Sequence, residues 1–321
     1  MAREPFSQQV ATRQWRALAQ EWATERLAAH GIEVVGPVQQ PRIRPWSTQL
    51  TIPTDHGRVW LKATCPSMSF EPALQQTMAR LVPGAVQDPV AVDADRGWML
   101  TLDHGPTLGD QGTPTVEDWR CALAETARVQ RALAAHREEL LEAGLPDAGP
   151  ETVVTRFDRL LEIHEQASVD AEARVSPGRI TELRARRPEL VDACAELAES
   201  AVPSTWQHGD LHPWNLHGSG DRIAFFDLGD GMWAHAVEVL SVPYGVVTNQ
   251  GTIAWEDILT AWTEAWEVEP DAFDRLWRAS GFTHAVNRAV TWHRALLTAT
   301  ADELAEWGTA VEQHLTSMLD A

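Results

Sequence analysis

The most informative part of the chain is a loop-like stretch followed by a short hydrophobic run. Residues 206–216 read WQHGDLHPWNL and residues 225–230 read FFDLGD, so that Asp227 comes twelve residues after Asn215. The glycine-rich sequence between them predicts a hairpin folded about residues 219–221. Such a hairpin would return Asp227 to the level of Asn215, and would bring an amide oxygen and a carboxylate to the same end of two strands.

Oxygen ligands of this kind suit a hard cation. Mg²⁺ takes few protein ligands and completes its shell with phosphates and water. Asn215 and Asp227 are therefore predicted to hold Mg²⁺. Asp210 precedes Asn215 by five residues on a loop that contains Pro213, and it is placed to face whatever the metal holds.

The sequence upstream of residue 104 is typical of strands once an N-terminal helix is set aside. The first thirty residues have helical periodicity, and the chain beyond them is rich in Val, Ile, Thr and Pro. A helix is predicted at Ser69–Leu81. Residues 1–103 are therefore predicted to form a β-rich N-terminal lobe.

The remainder, residues 104–321, is mostly helical in pattern. Residues 115–200 are rich in Ala, Leu, Arg and Glu, and helices resume from Ala236 to the C-terminus. Gly105-Pro106 is the predicted joint between the two lobes. The fold class is thus predicted to be α+β and bilobal, with the hairpin embedded in the helical C-terminal lobe.

Composition excludes several classes of function. The chain has 321 residues, with 46 Asp+Glu against 26 Lys+Arg, and its formal net charge is −20. Binding to nucleic acid or to anionic lipid needs a cationic surface, so neither partner is expected. The three cysteines form no CxxC pair, and no signal peptide or membrane span is recognised. A reduced, cytoplasmic protein is expected.

The motif at residues 206–230 resembles that of the aminoglycoside phosphotransferase family, the small-molecule branch of the protein-kinase-like fold. That family has H-G-D-x-H-x-x-N, then a hydrophobic strand, then D-x-x-D. The matching residues here are His208, Gly209, Asp210, His212, Asn215, Asp227 and Asp230. The resemblance implies an enzyme that transfers the γ-phosphoryl group of ATP or GTP to a hydroxyl group of a small molecule, with Mg²⁺ as cofactor.

The resemblance extends into the N-terminal lobe. Lys62, near the end of a predicted strand, matches the family's lysine that touches the nucleotide phosphates. Glu71, on the following helix, matches the acidic residue that pairs with that lysine. Residues 98–103, with Leu100 and Leu102 among them, match the connector whose backbone meets the adenine.

The resemblance also implies a role for each residue of the loop. Asp210 would be the catalytic residue that orients the acceptor hydroxyl and accepts its proton late. Asn215 and Asp227 would hold the metal that bridges the nucleotide phosphates. His208 would be a structural pin for the loop.

Two positions depart from the family pattern. A glycine-rich loop often covers the phosphates in this fold, but no glycine lies between Gly36 and Gly57. Arg44-Pro45-Trp46-Ser47 would have to serve there, and Ser47 is the predicted nucleotide contact. Where the family often has an Asp after D-x-x-D, this chain offers Glu238.

The acceptor side of the cleft is predicted to include Asp230, Trp214 and Trp233. Seven acidic residues of the C-terminal lobe could line a pocket for a cationic acceptor such as an aminoglycoside, or could form an ordinary solvated face. They are Glu256, Asp257, Glu264, Glu267, Glu269, Asp271 and Asp274.

Two other functions are compatible with the motifs. A catalytically inactive, kinase-like nucleotide-binding module would account for the missing glycine-rich loop. The sequence at 209–212, GDLH, also resembles the G-D-x-H opening of metallophosphoesterases, although their later G-N-H-[DE] signature is absent.

Overall fold

A computed structural model describes residues 4–166, 169–219 and 222–321. Among these residues, the N-terminal part contains an antiparallel sheet with the strand order β1-β2-β3-β5-β4. The strands are β1 Gln39–Ile43, β2 Ser47–Thr54, β3 Gly57–Thr64, β4 Ala91–Asp93 and β5 Trp98–Leu102. The helices of this part are α1 Phe6–Val10, α2 Arg13–Ala29 and α3 Glu71–Leu81.

The rest of the chain is dominated by helices. They are α4 Val116–Leu133, α5 Arg137–Glu142, α6 Pro150–Glu165, α7 Pro177–Ala185, α8 Arg187–Ala198, α9 Ser241–Gln250, α10 Trp255–Trp266, α11 Pro270–Ala295, α12 Ala301–Trp307 and α13 Ala310–Ser317. Two small antiparallel pairs are embedded among them: β6 Ser204–Gln207 with β9 Met232–His235, and β7 Leu216–Ser219 with β8 Arg222–Phe225. The predicted α+β, bilobal, protein-kinase-like arrangement is confirmed.

Local capping explains where several predicted helices begin. The single helix predicted for the first thirty residues is two helices, because the Thr12 side chain accepts the Trp15 backbone N–H at 3.1 Å and starts α2 there. Helix α3 begins at Glu71, two residues later than predicted, with Pro72 in its first turn. Thr115 and Asp118 form a reciprocal capping box at the start of α4.

Each lobe has its own hydrophobic core. In the sheet lobe, Trp98 of β5 meets Trp15 and Trp22 of α2 edge to face, with ring centroids 5.7 and 5.6 Å apart. The core of the helical lobe includes the buried side chains Trp119, Phe157, Trp206 and Trp262. Most of the tryptophans therefore serve packing.

Helix α3 packs with the helical lobe although it follows the sheet in sequence. Its buried residues Leu74 and Met78 belong to the core of that lobe. Glu71, at the start of the same helix, is thereby held at the seam between the lobes. No helix of the described residues is long and apolar enough to cross a membrane.

We expect Trp98→Ala to destabilise the protein by about 3–5 kcal/mol, since it removes the ring on which α2 packs and leaves a cavity. Urea denaturation measures the change in the free energy of unfolding. Val35→Ala, at a side chain that is 63% exposed, is the control. A loss below about 1 kcal/mol for Trp98→Ala would contradict the packing described.

Candidate active site

The motif loop is anchored by a strand pair that the sequence did not predict. Strand β6 pairs with β9, so that Gln207 lies opposite Met232, and the loop after β6 runs beside the segment before β9. Gly209 has φ +78°, and a Cβ there would lie 2.1 Å from the backbone oxygen of Asp230. This close approach explains why the loop has glycine at that position.

The hairpin after the loop brings the two predicted metal-binding residues together. Strands β7 and β8 pair with Leu216 opposite Phe225, and the Phe226 N–H donates to the Asn215 carbonyl at 3.2 Å. The tip of the predicted hairpin, residues 220–221, lies outside the described residues. Asn215 and Asp227 thus lie at the same end of the two strands.

His208 ties the loop to the strand that leads to Asp227. It is fully buried; its Nε2 donates to the Phe226 carbonyl at 3.0 Å, and its Nδ1 accepts the Asp210 N–H at 3.3 Å. Burial lowers the pKa of His208, which keeps the ring neutral. These contacts are those of a structural residue.

Lys62 is the centre of the site. Its Nζ donates to Glu71 Oε1 and to Asp227 Oδ1, both at 2.6 Å, and Glu71 Oε1 also accepts the Leu228 N–H at 2.8 Å. Burial opposes the charge, but the two carboxylates raise the pKa of Lys62. The ammonium group therefore joins β3, α3 and the segment after β8.

Asn215 and Asp227 have the donor atoms that Mg²⁺ requires. The Asn215 side-chain Nδ2 donates to the Asp210 carbonyl at 2.9 Å, and the Asn215 Oδ1 accepts no hydrogen bond from the described residues. Asp227 has a left-handed backbone conformation, with φ +59°. Burial favours its protonated form, but the positive charge of Lys62 outweighs this effect and lowers the pKa of Asp227. Two such ligands fit a cation that completes its shell with phosphates.

A metal site made of protein side chains alone is not found in the part of the chain that the structure describes. No group of three or more His, Cys, Asp or Glu side chains is arranged there to hold a metal ion. The ligand cluster that the metallophosphoesterase interpretation requires is thus missing from those residues.

Asp210 lies beside two positive or protonatable groups. Its carboxylate is 3.3 Å from His212 Nε2 and 3.7 Å from Arg288 Nη2. Although burial disfavours the charge, His212 and Arg288 lower the pKa of Asp210 to about 2. Asp210 is therefore ionised at neutral pH.

Arg288 is a site residue that lies outside the sequence motif. It is buried on α11, and its Nη1 donates to Asp230 Oδ1 at 2.8 Å. Burial and the neighbouring Asp210 and Asp227 nevertheless raise the pKa of Asp230 to about 6. A charged residue inside the apolar helical run 282–290, FTHAVNRAV, is the sequence signal that could have identified Arg288.

The cleft between the sheet and the helical lobe has a volume of about 650 Å³. Its lining includes Trp60, Lys62, Trp214, Phe226 and Asp227. Lys62, Glu71 and Asp227 therefore meet at the wall of one cavity large enough for a small ligand.

Two predicted contacts lie elsewhere than expected, those of Ser47 and Trp233. Ser47 is buried opposite Thr64 and does not line the cleft. The Leu100 side chain is fully buried in the core of the sheet lobe, and the contact predicted for Leu100, which is through its backbone, stays a prediction. Trp233 is buried in β9 opposite Trp206, so the prediction that it borders the cleft is wrong.

Of the other predicted site residues, Leu102 and Trp214 line the cavity, whereas Asp210, Asn215 and Asp230 are not among its lining residues. Leu102 is part of the lining, together with Met99 and Thr101 on either side of Leu100. Trp214 also lines the cavity with half of its surface exposed, and its ring lies against Gly109.

Glu238 is a structural residue. Its carboxylate is buried and accepts hydrogen bonds from Thr283 Oγ1 at 2.7 Å and Asn287 Nδ2 at 3.0 Å. Burial raises its pKa to about 7. It holds α11 against the segment after β9 and does not contact the cleft residues named above.

Comparison with solved structures finds the same fold in several small-molecule kinases. A macrolide 2'-phosphotransferase type I is 17% identical, with a TM-score of 0.59 over 94% of this chain and 98% of that one. The GDP and kanamycin complex of APH(2")-IIia is 13% identical, with a TM-score of 0.61 over 94% and 99%. Plasmodium vivax ethanolamine kinase is 12% identical, with a TM-score of 0.65 over 95% and 89%.

The sequence comparison leads to the same family. No curated protein matches the chain closely enough to count as a relative. The profile described as APH, phosphotransferase enzyme family, matches residues 76–285, which is more than half of the chain. With that match and the kinase-like fold around the Lys62–Glu71–Asp227 ion pairs, the chain belongs to the phosphotransferase enzyme family.

Proposed function

We propose that the protein transfers the γ-phosphoryl group of ATP or GTP to a hydroxyl group of a small molecule. The observation that carries this proposal is the convergence of Lys62, Glu71 and Asp227 at one cleft. Asn215, which is hydrogen-bonded to the Asp210 carbonyl, lies beside them, because its own carbonyl accepts the Phe226 N–H. Phosphoryl transfer is achieved mainly by positioning and charge stabilisation, and this set supplies both.

In this mechanism the two lobes divide the work. Lys62 binds the α- and β-phosphates and is kept straight by Glu71. Asn215 and Asp227 are the residues that would hold Mg²⁺, which supplies charge stabilisation to the phosphates when bound. The nucleobase enters beside Thr101 and Leu102, and the lobe boundary is proposed between Asp103 and His104.

Asp210 acts on the acceptor. A carboxylate whose pKa is about 2 is a weak base, so it orients the hydroxyl group and takes the proton late, after the new phosphorus–oxygen bond has begun to form. Arg288 keeps Asp210 ionised and shares its charge with Asp230.

The acceptor class is best approached through the position of the acidic residues. Helix α11 extends from Pro270 to Ala295 at about 1.5 Å per residue, so its N-cap Glu269 lies roughly 28 Å from Arg288. Glu267, Glu269, Asp271 and Asp274, which lie at this end of the helix, are thus poorly placed to touch an acceptor at Asp210. They support long-range attraction of a cation at most.

The proposed function is tested by the release of ADP or GDP from the Mg²⁺ nucleotide across a panel of acceptors. Aminoglycosides, macrolides and ethanolamine form the first panel, because the structural neighbours named above carry those substrates in their names. Acceptor-dependent release supports the proposal. Nucleotide binding without turnover would instead support the inactive module.

We expect Asp210→Asn to lower the acceptor-dependent kcat about 10²- to 10⁴-fold, because the amide cannot accept the hydroxyl proton. The KM for the nucleotide should change little, since Asp210 faces the acceptor. Steady-state kinetics with both substrates varied measures this, with Asp192→Asn on the exposed face of α8 as the control. Full activity in Asp210→Asn would contradict the mechanism.

We expect Asp227→Asn to raise the Mg²⁺ concentration for half-maximal rate on the order of tenfold or more, because one of two protein oxygen ligands loses its charge. The Mg²⁺ dependence at saturating nucleotide measures this. An unchanged Mg²⁺ dependence would remove Asp227 from the metal site.

We expect Arg288→Gln to move the acid limb of the kcat/KM pH profile to higher pH. Loss of the guanidinium raises the pKa of Asp210, so a smaller fraction of Asp210 is ionised at a given acidic pH. Arg288→Lys keeps the positive charge and should keep the limb near its wild-type position. Thermal melts check that both variants are folded, and coincident acid limbs in the two would contradict this role.

A further inference from the structure

The turn between β1 and β2 occupies the place in the chain where a glycine-rich loop often covers the phosphates in this fold. The turn consists of residues 44–46, Arg-Pro-Trp, and it contains no glycine. Its backbone offers few hydrogen-bond donors: the Arg44 N–H donates to the Ser47 carbonyl at 2.8 Å, and Pro45 has no N–H. Hydrogen bonds or ion pairs to phosphate in this region must therefore come mainly from side chains.

The turn is attached to the helical lobe by an aromatic contact. Trp46 meets Trp292 of α11 and Trp307 of α12 edge to face, with ring centroids 5.5 and 5.3 Å apart. Trp292 and Trp307 stack on each other at 5.8 Å, and the Arg44 guanidinium lies 5.7 Å from the Trp307 ring. We name Trp46, Trp292 and Trp307 the tryptophan clasp. Edge-to-face and cation–π contacts are both attractive.

Further contacts beside the clasp join the same end of α11 to the sheet lobe. Ser67 Oγ donates to the Arg294 carbonyl at 2.7 Å, and Arg294 Nη2 donates to the Ser67 carbonyl at 2.8 Å. Ala295 is buried in the core of the sheet lobe. Trp292, on the helix held by these contacts, is thus fixed relative to the sheet, and Trp46 packs against it and against Trp307.

The strand that leads into the turn carries an arginine on the cleft side of the sheet. Arg42 lies directly opposite Gln49, which lies opposite Lys62, and residues paired in this way project from the same face. Gln49 and Lys62 both line the cleft. Arg42 is exposed, so its guanidinium is free to bind an anion in the cleft.

We propose that Arg42 binds the nucleotide phosphates and that Trp46 is a positioning residue, which holds the β1–β2 turn on the helical lobe so that Arg42 faces the phosphates. An arginine side chain thereby takes the place of the backbone amides that a glycine-rich loop would supply. This inference rests on the proposed nucleotide-dependent function.

Direct binding measurements separate this role from a purely structural one. Titration calorimetry with Mg²⁺–ATP and with adenosine compares wild type, Arg42→Gln, Arg42→Lys, Trp46→Ala and Trp46→Phe. The control is Arg16→Gln, which removes an exposed arginine of α2. We expect Arg42→Gln and Trp46→Ala each to weaken ATP binding by roughly ten- to hundredfold and to leave adenosine binding unchanged. Arg42→Lys and Trp46→Phe should each recover most of the loss.

The double variant Arg42→Gln with Trp46→Ala should bind ATP no more than about threefold more weakly than Arg42→Gln alone, because Trp46 acts through Arg42. Three results would overturn the inference: wild-type affinity for ATP in Arg42→Gln, an equal loss of adenosine binding in Trp46→Ala, or independent effects in the double variant. If Trp46→Ala fails to fold, the Arg42 variants and Trp46→Phe still decide the matter. Wild-type protein that binds no Mg²⁺–ATP or Mg²⁺–GTP would contradict the proposed function itself.

Discussion

The ammonium group of Lys62, shared between the carboxylates of Glu71 and Asp227, is the interaction on which the rest of the site depends. Glu71 is buried and Lys62 is largely so, and a charge removed from water is tolerated only when it is paired and hydrogen-bonded. Removal of one member of such a pair typically costs about 3–5 kcal/mol, because the remaining charge is left uncompensated. The sheet, helix α3 and the embedded hairpin are therefore held in one relative arrangement by a single cation.

Features carried by contiguous sequence could be predicted well. Asp210, Asn215 and Asp227 lie within one short segment, and the turn between two short strands is enough to bring Asn215 and Asp227 together. The fold class and the family followed from the same segment through its resemblance to known phosphotransferases. Local pattern was sufficient because the hairpin is closed by neighbours in sequence.

Features that depend on packing between distant segments could not be predicted. The phase of alternation along β5 turns Leu100 into the core, and only the sheet partner decides that phase. Trp233 is buried because β9 pairs with β6, a contact between strands far apart in sequence. Arg288 approaches Asp210 from a helix far along the chain, so the spacing of residues within the motif does not predict this contact. The net charge of −20 likewise says little about the site, because a total charge does not show where in the fold the charged residues lie.

The membership of α3 in the core of the helical lobe has a mechanical consequence. Leu74 and Met78 pack in the core of that lobe, so Glu71 is positioned from the helical side, whereas Lys62 lies on a strand of the sheet. The Lys62–Glu71 ion pair thus spans the plane along which the cleft would open. Separation of the two elements would lengthen this bond and expose two charges to solvent, so the ion pair opposes that separation.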